Sequence, residues 1–140
     1  MSCIYTGFKY NSIKRGVFKI GQTKDKYPTS RLNANSIECI YYMSLPKASV
    51  GQLDLLEACA RIACEEMGMP HLYYDTKDWF AYNIDNRFAS KAAQAERFAK
   101  TVMIALAQEC DRRGWQYEIR ACFNNGRRYS CAAAKPYNLV

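Results

Sequence analysis

With 140 residues, 20 Lys and Arg against 13 Asp and Glu, and a formal net charge of +7, the chain has the length of one domain and a basic balance. A domain of this size buries roughly two-thirds of the surface its unfolded chain exposes, so it needs no disulfide or metal staple to fold. No apolar run approaches the ~20 residues needed to cross a bilayer.

The first element in chain order is a short β-rich strand, Cys3-Ile-Tyr-Thr-Gly-Phe. Asn11, Ser12 and Lys14-Arg15-Gly16 read as a turn into a second strand, Val17-Phe-Lys-Ile-Gly21, which predicts an amino-terminal hairpin. Residues 24–30, with Pro28, read as a loop, and a short helix starts near Ser30 carrying Arg31 and Leu32. Residues 38–45 are a third strand closed by Pro46. A long helix is predicted over residues 50–67, capped by Ser49 and stopped by Gly68 and Pro70, with Leu55, Leu56, Cys59, Ile62 and Ala63 as its main buried stripe. Two short aromatic segments follow, around Leu72 and Trp79, joined by Asp75-Thr-Lys-Asp78. A second long helix spans residues 90–113 with Phe98, Val102, Ala105 and Leu106 on one face. Trp115, Tyr117, Ile119 and Ala121 alternate along a last strand over residues 115–123, after which the pattern is lost. The expected architecture is α+β: a central three-stranded, mostly antiparallel sheet flanked by helices, with residues 1–85 as core and 86–140 as a helix-strand extension on the same domain.

The opening Met-Ser-Cys-Ile-Tyr-Thr-Gly has neither the basic cluster nor the apolar stretch of a signal peptide, which predicts a cytoplasmic protein. Seven cysteines with no Cys-x-x-Cys pair, and a single histidine, read as free thiols used as small apolar residues; they support neither a disulfide framework nor a zinc site. The basic excess favours a polyanionic partner, nucleic acid above all.

Cys3-Ile4-Tyr5, taken with Phe18-Lys19-Ile20-Gly21-Gln22-Thr23, resembles the two signature strands of the GIY-YIG nuclease superfamily. The match is narrower to a phage-associated branch whose second motif reads Lys-Ile-Gly. Arg31 ten residues after Gly21, Glu57 in the helix after the third strand, and Asp78-Trp79-Phe80 extend the resemblance over residues 3–83. Cys3 stands where the first motif begins with Gly, and Lys19 where many members carry tyrosine. The resemblance implies a metal-dependent endonuclease acting on DNA, with Tyr5, Lys19, Arg31 and Glu57 as its catalytic set.

Phosphodiester hydrolysis requires an activated water, a stabiliser for charge on phosphorus and help for the departing oxygen. The resemblance makes Tyr5 the general base. A phenol normally titrates near 10, so the ammonium of Lys19 is expected to favour the phenolate. Arg31 offers a planar fork for two phosphate oxygens. Glu57 lies about 155° around the helix from Leu55, Cys59 and Ile62, beside Leu53, Ala60 and Cys64. A partly buried carboxylate there suits a divalent cation, Mg²⁺ with Mn²⁺ substituting, or a salt bridge to Arg61. Lys14, Arg15, Lys24 and Lys26 are expected to track phosphates, with Gly21, Thr23 and Asn83 completing the nucleic-acid contacts. One such site cuts one strand, so double-strand cleavage calls for a homodimer or two visits. The competing readings are a catalytically silent module holding nucleic acid or protein, and a phage protein that counters host defence.

Overall fold

The computed structural model describes residues 1–140 except 10–15, 73–77, 89, 125–126 and 140. Ser2–Lys9 (β1) and Gly16–Thr23 (β2) are antiparallel neighbours, so the two signature segments are paired, with Tyr5 opposite Gly21 and Gly7 opposite Lys19. The expected turn between them, with Lys14 and Arg15, lies outside the described residues. Thr29–Asn35 (α1) follows, then Ile37–Leu45 (β3) on the other side of β1. Val50–Glu66 (α2) opens on a capping box: Ser49 Oγ accepts from the Gln52 amide at 3.2 Å, and Gln52 Oε1 accepts from the Ser49 amide at 2.8 Å. Trp79–Tyr82 (β4) pairs with β2, and Lys91–Arg113 (α3) is capped by Ser90 and closed by Gly114 in the left-handed conformation. Glu118–Ala121 (β5) then pairs with β3.

The expected three-stranded centre is therefore β2-β1-β3, inside an antiparallel six-stranded sheet of α+β type. The last predicted strand is shorter than its alternation suggested, because the Trp115 amide is tied back to the Cys110 carbonyl at the end of α3 (2.9 Å). The tail is ordered where no pattern was legible. Phe123–Asn124 (β6) and Arg127–Arg128 (β7) form a two-stranded ribbon, Cys131–Ala133 a 3₁₀ turn, and Lys135–Pro136 (β8) the outermost strand beside β5. Residues 86–140 thus supply two strands of the same sheet. Among the described residues, no helix is long and apolar enough to cross a membrane.

Two cores sit on opposite faces of the sheet. The larger joins Ile4, Phe18, Ile20 and Ile40 to Leu53, Leu56 and Ala60 of α2 and to Ala99, Val102 and Leu106 of α3. The predicted stripe of α2 is corrected here. Leu53, Leu56, Ala60 and Cys64 face inward, while Ile62 is 53% exposed and Leu55 and Cys59 are half-buried. This same rotation carries Glu57 inward. The smaller core, on the other face, gathers Cys3, Tyr5, Leu32, Cys39, Tyr42, Cys122 and Cys131.

A β-bulge decides which residues of β3 reach which core. Register shifts between Thr6 and Gly7, so that Tyr41 pairs with Thr6 and Cys39 with Gly7, leaving Ile40 as the extra residue. Ile40 and Tyr41 consequently enter the larger core together, while Cys39 turns to the smaller one. Thr6, fully buried, holds the bulge by accepting from the Tyr41 amide (3.3 Å) and donating to its carbonyl (3.0 Å).

Candidate active site

Tyr5 stands in the central strand with its ring laid across Gly21. A Cβ added at Gly21 would lie 2.4 Å from both Cζ and Oη of Tyr5, so only glycine leaves room for the phenol. Gly21 is thus required for space beneath the tyrosine, which corrects its expected role as a nucleic-acid contact. Direct antiparallel partners share a face, which puts Tyr5, Lys19, Gly21 and Thr23 on the same side of the hairpin. Lys19 is 8% exposed, and its ammonium lies 4.6 Å from the ring centroid of Trp79, its cross-strand partner on β4.

Glu57 comes from the opposite face. Its partners lie along the edge of β2 beyond Trp79, the first residue of β4. Gln22 Nε2 donates to Glu57 Oε2, and also to Asp54 Oδ1 at 2.8 Å. Asp78 is fixed there by its carbonyl, which accepts from the Ile20 amide at 3.0 Å. The Glu57 and Asp78 carboxyl groups lie close enough to act on each other's ionisation. Arg61 Nη1 lies 3.9 Å from Glu57 and 3.7 Å from Asp78, so the salt bridge expected as the alternative partner of Glu57 is present as well.

These groups form one electrostatic neighbourhood. The phenol of Tyr5 feels Arg31, Glu57 and Asp78, and the ammonium of Lys19 feels Asp78, Glu57 and Arg31. The four predicted catalytic residues lie within electrostatic range, Tyr5 and Lys19 on one face of the sheet and Glu57 arriving from the other, and Asp78 acts on Tyr5, Lys19 and Glu57. Burial, then Asp78, push the Glu57 carboxyl up to about 7, while Gln22 and Arg61 pull it down.

The expected titration of Tyr5 is corrected. Burial pushes the phenol up to about 12, Arg31 opposes this, and the carboxylates reinforce it. The ammonium of Lys19 is turned toward Trp79, and Arg31 is the cation that opposes the rise of the phenol most. Burial also lowers Lys19 itself, against the pull of Asp78 and Glu57.

Of the remaining predicted contacts, Lys24 and Lys26 are exposed just past the end of β2, on the side of Gln22, and Arg31 is exposed on α1. Two are corrected. Thr23 is 5% exposed, and its hydroxyl accepts from the Asp25 amide at 3.2 Å, so it shapes the turn and is sealed from a ligand. Asn83 follows Tyr82, whose partner is Gly16, at the far end of β2 from Gly21. At ~3.3 Å per residue this sets it well outside the charged group. Sequence reading missed Asp78 and Gln22 as partners of Glu57; the signal for the first was the Asp78-Trp79-Phe80 triplet itself.

Set against protein-family models, curated proteins and solved structures, the chain matches none.

Proposed function

We propose that the chain is a metal-dependent endonuclease that hydrolyses DNA phosphodiester bonds. The observation that supports this most is that a phenol, an ammonium, a guanidinium and two mutually interacting carboxyl groups lie within electrostatic range of one another near β2. Two carboxyl groups held close together oppose each other's ionisation, and such an arrangement suits a hard cation that replaces the shared proton. Glu57 and Asp78 would hold Mg²⁺ or Mn²⁺, and the oxygen-only donor set fits both. When bound, the ion supplies Lewis-acid stabilisation of the phosphate and the departing oxygen.

The protein's own groups divide the remaining work. The exposed fork of Arg31 grips two phosphate oxygens, and Lys19 adds positive charge beside them. Tyr5 orients the attacking water and accepts its proton as the phenolate form becomes populated. Gln22 fixes the rotamer of Glu57. Lys24 and Lys26 hold the flanking phosphates without reading bases.

A second reading, a silent nucleic-acid-binding or protein-binding module, is favoured by one observation: Tyr5 is only 2% exposed. Incubating supercoiled plasmid with the protein and Mg²⁺, and comparing wild type with Glu57→Ala, separates the two. Nicking by wild type that Glu57→Ala abolishes is the expected result. Tight DNA binding with no cleavage in Mg²⁺ or Mn²⁺ supports the silent module, and equal cleavage by both proteins refutes the assigned site.

A further inference from the structure

Three cysteines far apart in sequence meet in the smaller core. Cys39 arrives from β3, turned to this face by the bulge. Cys122 follows β5, and Cys131 opens the 3₁₀ turn beyond the β6-β7 ribbon. Their sulfur atoms all lie within 4.8 Å of one another, and the Cys122 and Cys131 sulfurs are 3.9 Å apart. All three side chains are buried.

The backbone around them is fixed. The Cys122 amide donates to the Ile40 carbonyl and the Tyr129 amide to the Cys122 carbonyl, each at 2.7 Å, and Tyr42 Oη donates to the Cys131 carbonyl at 2.8 Å. The Thr29 hydroxyl of α1 also reaches the Cys131 sulfur. Four segments of the fold therefore converge on one group of sulfurs.

We propose that Cys39, Cys122 and Cys131 form a binding site for a thiophilic d¹⁰ metal ion, Zn²⁺ foremost, distinct from the carboxylate site at the edge of β2. A tetrahedral zinc with Zn–S bonds of ~2.3 Å holds its sulfurs ~3.8 Å apart, so the present spacing needs only a small inward movement. Soft thiolates select this class of ion and reject Mg²⁺. A pocket of about 280 Å³ lined by Cys39, Cys131, Thr29 and Ser130 lies beside two of the three cysteines and would give the ion an entry path and room for a fourth ligand. Three thiols lose their protons as the ion binds, so the exchange balances without an oxidant. The bound ion would clamp the tail to β3 and α1, and would raise stability by mass action.

The test uses the full chain purified under reducing conditions, equilibrated with ZnCl₂, desalted and analysed for bound metal. A parallel Co²⁺ sample is read for the near-ultraviolet thiolate charge-transfer band. One Zn²⁺ per wild-type chain is expected, together with the cobalt band and a thermal midpoint that rises with zinc. Cys59→Ser, half-buried on α2 away from the cluster, retains the metal. Cys39→Ser and Cys122→Ser lose at least roughly tenfold in zinc affinity. Wild-type protein that binds no zinc overturns the proposal whatever the variants do, as does a Cys122–Cys131 disulfide in protein never exposed to oxidant. Zinc retained by both ligand variants overturns it equally.

Discussion

Replacing Glu57 by Gln tests the carboxylate pair through stability, independently of any cleavage assay. Glu57 is 7% exposed and its carboxyl is pushed from the ordinary 4.5 up to about 7. The folded protein thus keeps a proton that the unfolded chain releases. That proton contributes its full stabilisation below pH ~4.5, and the contribution is lost as pH rises through about 7, beyond which the curve is flat. At ~1.4 kcal/mol per pH unit the loss is about 3 kcal/mol, or roughly 10 °C in thermal midpoint for a domain of this size. Glutamine keeps the shape and can hydrogen-bond to Asp78, yet it carries no titrating proton. Thermal melts between pH 4.5 and 8.5 should show wild type losing stability across this window and Glu57→Gln holding level over the same range. At pH 8, Mg²⁺ should raise the midpoint of wild type and leave Glu57→Gln unmoved. Parallel pH curves for the two proteins would refute the shared-proton reasoning, and equal responses to Mg²⁺ would refute the cation site.

Gly21→Ala places a methyl group 2.4 Å from the Tyr5 ring; overpacking of this kind costs about 1–3 kcal/mol, measurable by urea titration, and unchanged stability would show that the ring moves freely. Tyr5→Phe should keep the circular dichroism spectrum and lower the cleavage rate by at least about 10²-fold. Since the phenol is held up at about 12, cleavage by wild type should quicken about tenfold per pH unit from pH 6 to 9, and a flat profile would remove Tyr5 as the base. Arg31→Ala, on an exposed helix position, should leave stability within about 0.5 kcal/mol while reducing cleavage about 10²-fold, which plasmid nicking and melting together would check.

The hairpin, both long helices and their caps were legible because each is written locally: Ser49 before Gln52, Ser90 before α3 and Gly114 after it, and apolar residues in register on β1 and β2. The rotation of α2 was not, since Leu55 and Ile62 offer as good an apolar stripe as Leu53 and Ala60. The grouping of Tyr5, Lys19, Arg31 and Glu57 was expected from the motif, but its electrostatics were not legible. Whether a lysine lowers a neighbouring phenol depends on where its ammonium points, and Trp79 draws it toward β4. The cysteine group was hidden most completely. It depends on one extra residue at a bulge and on a ribbon in the tail, neither of which leaves a periodic trace.

Both outer margins of the sheet are partly covered among the described residues. Beside β4, the Trp79 carbonyl accepts from the Leu72 amide and the Ala81 amide donates to the Pro70 carbonyl, each at 2.9 Å. Beside β5, the Tyr137 amide points inward to the Ile119 carbonyl, so the outward amide position falls on Pro136, which has no hydrogen to give. Among the described residues, a second copy finds only short stretches of unpaired backbone at these margins for adding its own strand.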